Sequence, residues 1–253
     1  MSRAPRAFVI HLERAAGRRG AVEALLSALP IPGEILPAVD GRLLSAEEAD
    51  AAYARARYAP RYPFALGPAE IGAFMSHRAA WRRIVDENLD HAFVFEDDAA
   101  VDPGRFAALV GFLAAERRRW RYVLMPAAGL EPSGDVLARA GEFVLMRPRS
   151  PPLRAIGQAV SREAAERFIA LTAPFDRPVD TFLQMNWITG LTLLVATPTP
   201  IRDVSGETGG TTVQRKRLGL FERLRHEAMR PVYRARTLKR YRRALAAATD
   251  TIS

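Results

Sequence analysis

Cysteine is absent from the 253 residues of the chain, so disulfide bonds, thiolate metal ligands and cysteine nucleophiles are excluded. Long hydrophobic runs are missing too, and the first apolar stretch, residues 7–12, is too short for a signal-peptide core or a membrane span. Both common glycine-rich phosphate-binding loops are lacking, which argues against a P-loop ATPase and a dinucleotide-dependent dehydrogenase. We therefore expect a cytoplasmic globular protein without those chemistries.

Lysine is scarce, and arginine supplies nearly all of the basic residues that give the chain a formal net charge of +9. Twelve Arg or Lys residues but only two acidic residues lie between positions 215 and 243. In a helix, this segment would carry an apolar stripe made of Leu218, Phe221, Leu224, Arg225 and Met229. Such a helix is typical of peripheral binding to an anionic membrane, here the inner face of the cytoplasmic membrane. The alternative is an arginine-rich helix that is solvated or packed on the domain.

Apolar residues make up 49% of the chain, enough for a substantial core. Short apolar runs that indicate strands alternate with amphipathic helical patterns from residue 7 to about residue 205. This alternation predicts an α/β fold, with a Rossmann-like, mainly parallel sheet flanked by helices, over residues 1–205. Residues 206–253 are predicted to form a loop and a basic helical tail, and residues 203–213 a mobile loop. Residues 126–141 are expected to form a turn and residues 181–187 a single short helix.

Three adjacent carboxylates, Glu96, Asp97 and Asp98, end the apolar run that begins at residue 91. Side chains alternate along a strand, so Glu96 and Asp98 should share a face while Asp97 points away and holds the loop. Oxygen ligands of this kind suit Mg²⁺ or Mn²⁺, which usually take one or two protein carboxylates together with substrate phosphate. The pattern therefore predicts a metal site for a diphosphate-bearing substrate. The alternative is an acidic turn that caps the next helix.

A helix is predicted from Pro68 to about residue 85, because proline is favoured at the first helical position. Glu70 and His77 lie seven positions apart in it, which places them on one stripe about 10 Å apart along the axis. The stripe also carries aromatic residues, so this pair is a candidate for the functional site. A buried core histidine is the alternative interpretation of His77.

Five segments of the chain resemble glycosyltransferase family 25, which builds lipopolysaccharide and lipooligosaccharide in bacteria. They are residues 8–14 with Arg18 and Arg19, residues 37–41, residues 66–77 with Trp81, residues 94–98 and residues 178–180. Each motif is weak alone, but five in order at the expected intervals are specific. The resemblance covers about residues 7–205.

The resemblance implies a single GT-A-like domain, a UDP-sugar donor with galactose as the usual sugar, and inversion to a β-linkage. It also implies a divalent cation, Mn²⁺ or Mg²⁺, and a lipid-linked saccharide acceptor. Glu96 and Asp98 are then the metal ligands. The matching positions give nucleotide-binding candidates, which are His11, Arg14, Arg18, Asp40, Ser76 and Asp97, and catalytic candidates, which are Glu70, His77 and Asp180. No nucleic-acid partner is expected, because aromatic residues are few in the basic tail.

Inversion requires a base that takes the acceptor proton on the face opposite the leaving diphosphate. Asp180 is our candidate, since a loop could deliver it to the strand-end cleft; its alternative is a helix N-cap before Thr181. Three departures from the family pattern concern sugar contacts: His11 replaces an asparagine, residues 157–161 are Gly-Gln-Ala-Val-Ser, and Ser205 is followed by Gly206. A catalytically silent relative that acts as a scaffold is therefore one competing hypothesis. A nucleic-acid-binding protein that uses the basic tail is the other.

Overall fold

The computed structural model describes residues 4–129, 132–154, 156–207 and 220–250. Within them the chain forms ten strands and eight α-helices. The strands are β1 (Arg6–His11), β2 (Gly33–Pro37), β3 (His91–Glu96), β4 (Ala99–Val101), β5 (Tyr122–Leu124), β6 (Gly134–Ala140), β7 (Phe143–Pro148), β8 (Gly157–Ser161), β9 (Leu193–Thr197) and β10 (Ile201–Asp203). The helices are α1 (Arg19–Ala28), α2 (Ala46–Ala52), α3 (Pro68–Asp86), α4 (Pro103–Ala115), α5 (Arg162–Leu171), α6 (Val179–Leu183), α7 (Asn186–Thr189) and α8 (Leu220–Asp250).

The central sheet has the strand order β2-β1-β3-β8-β5-β9-β7-β6 within the described residues. Six strands run in one direction, while β7 and β8 run against them. Helices cover both faces, so the predicted α/β class and the mainly parallel, helix-flanked sheet are confirmed. The short strands β4 and β10 pair separately and antiparallel, beside the end of β3.

Two local predictions were wrong. The expected turn over residues 126–141 contains β6, an edge strand paired antiparallel with β7. Its side chains are mostly exposed, so it lacks the apolar alternation that marks a strand in sequence. The expected single helix over residues 181–187 is two helices, α6 and α7, separated at Gln184 and Met185. Of the loop expected at 203–213, residues 208–213 lie outside the described residues.

Two hydrophobic clusters lie on opposite faces of the sheet, because side chains alternate along β1 and β3. Phe8, Ile10 and Val94 face α3 and α5, where Phe74 stacks on Phe175 with ring centroids 4.0 Å apart. Ala7, Val9, Phe93 and Phe95 face α1 and α4. Both clusters are closed from water, which fixes the register of the central strands.

The parallel strands β1, β2 and β3 end at the same edge of the sheet, and α3 begins beside that edge. This approach depends on two glycines. A Cβ on Gly41 would lie 1.7 Å from the carbonyl oxygen of Pro68, and one on Gly72 would lie 2.5 Å from that of Val39. Glycine alone permits such close backbone contact. The start of α3 is thereby held against the loop that follows β2.

Helix α8 packs on the domain through Tyr233, Thr237 and Tyr241, which are buried and spaced four residues apart. The Tyr241 hydroxyl donates to the carbonyl of Pro148 at 2.8 Å. This part of the tail therefore follows the packed alternative. Of the predicted apolar stripe, Met229 is half-buried; Leu218 and the side chains of Phe221, Leu224 and Arg225 lie outside the described residues. No helix among the described residues is long and apolar enough to cross a membrane.

Candidate functional site

A cavity of about 180 Å³ lies at the carboxyl edge of β1, β2 and β3, and we call it the strand-end cavity. This edge is where open α/β sheets bind ligands, because the loops after successive parallel strands converge there. Its polar lining comes from the loops after the three strands and from one face of α3. The charged and polar side chains are Arg14, Arg18, Asp40, Ser76, His77, Glu96, Asp97 and Asp98.

Asp97 is bound within the protein, in the wall of the cavity that Glu96 and Asp98 also line. Its carboxylate forms an ion pair with Arg18 and a 3.2 Å contact with Nδ1 of His11. All three residues are buried. Asp97 thus ties the end of β3 to the first βα turn and shapes the cavity wall. Whether these residues also contact a nucleotide stays a prediction, and His11 lies behind Asp97 rather than in the lining.

His77 is held by two hydrogen bonds in the middle of α3. Its Nε2 donates to Oε1 of Glu96 at 3.2 Å, and its Nδ1 accepts from Nε2 of Gln158 at 3.1 Å. His77 is therefore buried and satisfied, as the alternative interpretation required, yet it also lines the cavity and orients Glu96. Sequence reasoning missed Gln158, although a polar side chain in the middle of an apolar strand was the available signal.

Asp98 differs sharply from Asp97. Its Oδ1 is buried and has no hydrogen-bond partner among the described residues. Burial, together with the negative charges of Glu96 and Asp203, raises the pKa of Asp98 to about 6. An unpaired buried carboxylate oxygen is costly, and such groups often serve a ligand.

Asp203 was also missed by the sequence analysis. It lies at the end of β10, and the neighbouring Val204 donates its backbone N–H to the carbonyl of Asp98 at 2.8 Å. Burial acts to raise the pKa of Asp203, but hydrogen bonds from Ser205 and the charge of Arg154 lower it overall. Asp203 therefore adds a firmly ionised carboxylate beside Asp98. The pairing of β4 with β10, which joins distant parts of the chain, left no local signal for it.

Ser76, Arg14 and Asp40 are engaged within the protein. The Ser76 hydroxyl accepts from the backbone N–H of Val39 at 2.8 Å and donates to the carbonyl of Gly72 at 2.7 Å. Arg14 donates through Nε to Oδ2 of Asp40 at 2.5 Å, and both side chains are partly exposed. Ser76 thus fastens the loop after β2 to α3, while Arg14 remains at the mouth of the cavity.

A second and larger cavity, of about 570 Å³, runs beneath α8, and we call it the α8 groove. Glu70 and Asp180 line it, as do aromatic residues from the loop before α3 and arginines from α8. Glu70 accepts from the backbone N–H of Gly67 at 2.7 Å and so caps α3. The structure therefore separates the predicted pair on α3: His77 lines the strand-end cavity and Glu70 lines the α8 groove.

Asp180 lies in the first turn of α6, and the N-cap of this helix is Pro178. The Asp180 carboxylate accepts from the backbone N–H of Thr181 at 2.7 Å. Burial raises its pKa, and the negative charge of Glu96 contributes in the same direction. The charges of Glu96 and Asp180 therefore interact, although the two residues line different cavities. A carboxylate with a raised pKa is a better proton acceptor at neutral pH.

Arg154 borders the same region and was not singled out from the sequence. Its backbone N–H hydrogen-bonds to Asp180, and its Nη1 forms a 2.7 Å ion pair with Asp203. Its φ of +75° is unusual for a residue with a Cβ. Strained backbone of this kind often occurs at functional sites.

The donor atoms of the strand-end cavity fit a divalent cation that arrives with a phosphorylated ligand. The lining carries four carboxylates and two guanidinium groups, so its formal charge is −2 and it would repel a diphosphate alone. Among the described residues no group of three or more potential ligands is close enough to hold a metal by itself. Glu96 and the unpaired oxygen of Asp98 can supply two positions, and Mg²⁺ or Mn²⁺ commonly takes the others from substrate and water.

Comparison with known proteins gives a family match over residues 4–125 to the model described as glycosyltransferase family 25 (LPS biosynthesis protein). The human procollagen galactosyltransferase 2 is 33% identical over 188 residues, which is 71% of this chain and 30% of that protein. A Drosophila melanogaster glycosyltransferase 25 family member is 29% identical over 197 residues, 71% of this chain and 30% of its own length. The human inactive glycosyltransferase 25 family member 3 is 27% identical over 184 residues, with 70% and 30% coverage.

The chain thus spans about a third of the length of these relatives. Among solved structures, the crystal structure of S. aureus TarS 1–349 is similar with a TM-score of 0.45 and 11% identity, covering 82% of this chain and 62% of that chain. A likeness at this level carries no argument about function.

Proposed function

Because the chain belongs to glycosyltransferase family 25, we propose that it transfers a hexose from a UDP-sugar to a saccharide acceptor with inversion at the transferred carbon. Galactose is the first candidate for the sugar, since one of the relatives is named a procollagen galactosyltransferase. A lipid-linked saccharide of lipopolysaccharide or lipooligosaccharide synthesis is the proposed acceptor. The observation that supports this best is that Glu96 and Asp180 line two different cavities while the charge of Glu96 still acts on the Asp180 carboxylate.

The strand-end cavity is the proposed donor site. Its volume is below the usual 300–1,000 Å³ of ligand pockets, so it would enclose the diphosphate and leave part of the nucleotide at the open mouth. Arg14 at that mouth is partly exposed and can reach a phosphate oxygen. Glu96 and Asp98 are the proposed ligands of Mn²⁺ or Mg²⁺, which would neutralise charge on the departing diphosphate. His77 keeps Glu96 oriented toward that position.

Asp180 is the proposed base. It lines the larger α8 groove, in which an acceptor saccharide would lie, and the charge of Glu96, which lines the donor cavity, acts on its carboxylate. Asp180 would accept the proton of the acceptor hydroxyl as that oxygen bonds to the anomeric carbon and the bond to the diphosphate breaks. The raised pKa supports this assignment, because it brings the carboxylate closer to the pH of the reaction.

Membrane association remains a separate part of the proposal. The exposed basic residues of α8, among them Arg236 and Arg240, face solvent while Tyr233 and Tyr241 face the domain. Each cation near an anionic surface contributes about 1 kcal/mol, so several on one helix would hold the protein beside a lipid-linked acceptor. Sedimentation with anionic and neutral vesicles at matched salt would measure this contribution.

The donor assignment is tested by thermal unfolding with UDP-galactose, UDP-glucose and GDP-mannose, each with and without Mn²⁺. A ligand at 100 times its Kd stabilises the native state by about 2.7 kcal/mol. We expect the largest rise in Tm with UDP-galactose and Mn²⁺, and loss of the Mn²⁺-dependent part in Asp98→Asn. If no nucleotide sugar raises Tm in the presence of Mn²⁺, the donor assignment is wrong.

The second candidate function is that of a catalytically silent relative. It is supported by relatives whose names call them inactive family members. Such a protein would bind the nucleotide sugar without turning it over. A coupled assay that monitors the release of UDP, with and without added saccharides, distinguishes the transferase from the silent relative. Turnover that requires Mn²⁺ supports the transferase, whereas binding without any release of UDP supports the silent relative.

A further inference from the structure

The α8 groove contains charges and aromatic rings that the proposed chemistry does not use. Arg230 and Arg234, one helical turn apart on α8, both line it. Among the side chains that the structure describes, no carboxylate forms an ion pair with either arginine, and both residues are exposed. Two guanidinium groups beside a cavity, without a carboxylate partner among the described side chains, are a typical arrangement for binding an anionic ligand.

The groove also has an aromatic wall. Tyr62 meets Phe64 edge to face at 5.6 Å and Tyr233 at 5.3 Å, and the guanidinium of Arg230 lies 5.8 Å from the centre of the Phe64 ring. Flat apolar rings next to hydrogen-bonding groups suit the faces of a sugar, which carry C–H groups between hydroxyls. Tyr62 lines the groove together with Arg230, Glu70 and Asp180. Burial raises the pKa of Tyr62, the charges of Glu70 and Asp180 add to the rise, and the charge of Arg230 opposes it.

This wall is fixed before any ligand binds. The guanidinium of Arg177, fully buried, donates to the Tyr233 hydroxyl at 2.9 Å and to the carbonyls of Tyr58 and Pro60 at 2.8 and 3.2 Å. Asp176 balances its charge with a 2.7 Å ion pair. Arg177 therefore ties α8 to the segment that leads into Tyr62. A preformed wall lowers the entropic cost of binding.

We propose that the α8 groove binds a saccharide that carries an anionic substituent, a carboxylate or a phosphate, which Arg230 and Arg234 contact while a hydroxyl of the same saccharide lies against Asp180. The aromatic rings would hold the sugar between these two ends. This inference rests on the proposed function in one respect, because it treats the groove as the acceptor site. The charge preference itself depends only on the groove.

The test compares three disaccharides that differ at one carbon: cellobiose, cellobiouronic acid and cellobiose 6′-phosphate. Binding to the full chain is measured by ligand-observed NMR titration at constant ionic strength. We expect at least one anionic form to bind about tenfold more tightly than cellobiose, and the comparison of carboxylate with phosphate identifies the preferred group. Equal affinity for all three, or binding of none at 10 mM, would overturn the inference.

Variants locate the preference on α8. The double substitution Arg230→Ala and Arg234→Ala should reduce the preference for the anionic form about tenfold. The double substitution Arg236→Ala and Arg240→Ala, which removes the same two charges from exposed positions outside the groove, should keep it. Equal loss in both proteins would indicate general electrostatic attraction and contradict the inference. If Ala destabilises the helix, Arg→Gln at the same two positions provides the same comparison.

Donor binding is measured on the same wild-type sample with UDP-galactose and Mn²⁺. Charge discrimination without nucleotide binding would reject the proposed function and leave the groove inference standing. Nucleotide binding without charge discrimination would reject the groove inference and leave the proposed function standing.

Discussion

The strand-end cavity and the α8 groove balance their charges in opposite ways. In the cavity the arginines are paired with carboxylates, Arg14 with Asp40 and Arg18 with Asp97, and the remaining charge is acidic. In the groove Arg230 and Arg234 have no ion pair with any side chain that the structure describes. The cavity is therefore suited to a cation, and the side of the groove formed by α8 is suited to an anion. The two halves of a transfer reaction would be selected by opposite electrostatics.

The two sites also differ in how the chain builds them. Loops that directly follow β1, β2 and β3 form the cavity, together with α3. The groove is assembled from segments around residues 62, 151, 180 and 234, which are distant in sequence. A site built from loops that directly follow strands can be recognised from short sequence motifs. A site assembled from distant segments has no such motif.

The largest expected effect is on the transfer rate, and it distinguishes the role of Asp180 from that of Glu70 in the α8 groove. Asp180→Asn should lower the transfer rate about 1,000-fold, because general-base catalysis contributes 10²–10⁴ and an amide cannot accept the proton. Glu70→Gln is the matched control: its amide oxygen can still cap Gly67, so the rate should change less than tenfold. Initial rates at saturating UDP-galactose measure both. A comparable loss in the two variants would contradict the assignment of Asp180 as the base.

The next effect concerns the stability of the cavity wall. Asp97→Asn removes the negative charge from the buried ion pair with Arg18, which should cost about 3–5 kcal/mol of unfolding free energy. Asp40→Asn breaks the more exposed pair with Arg14 and should cost about 1 kcal/mol or less. Urea denaturation at constant ionic strength gives both values. Similar costs would show that the cavity does not depend on the Arg18–Asp97 pair.

Sequence patterns predicted the elements that carry dense local signals. Proline at the start of α3 and the apolar run of β3 both correspond to elements in the structure. These features depend on residues close in the chain, so periodicity and capping rules suffice.

Long-range features were beyond such rules. Gln158 reaches His77 only because β8 lies next to β3, and Asp203 approaches Asp98 only because β10 pairs with β4. Arg230 contacts Phe64 only once α8 has packed on the domain. Each contact depends on topology that no local motif encodes, and the resemblance to family motifs stops at about residue 205, before α8 begins.

A smaller effect is expected where α3 meets the loop after β2. Gly72→Ala places a methyl group 2.5 Å from the Val39 carbonyl oxygen and should cost about 2–3 kcal/mol, because backbone must move to make room. Gly111→Ala in α4 is the matched control, since its Cβ would meet nothing within 4 Å; it should stabilise the protein by about 0.5–1 kcal/mol through helix propensity. Urea denaturation distinguishes the two, and equal effects would mean that the close approach is not required.

The smallest effect appears as a pH dependence at Asp98. Its pKa is raised to about 6 from an ordinary 3.8, so the native state binds more protons than the unfolded state between these values. Stability therefore falls as pH rises from about 4 to 6, and the penalty is fully present above pH 6. The shift alone would be worth about 3 kcal/mol, and screening at this partly exposed group reduces it to about 1–2 kcal/mol.

Asp98→Asn removes this titration. In EDTA the variant should match the wild type near pH 4 and exceed its unfolding free energy by about 1–2 kcal/mol at pH 7, while losing the Mn²⁺-dependent response to nucleotide sugar. Urea denaturation at the two pH values measures the difference. A gain in stability with a loss of ligand response is typical of a residue kept for binding rather than for folding. A variant less stable than the wild type at pH 7 would assign Asp98 to the framework, beside Asp97, and would leave the strand-end cavity without its unpaired acid.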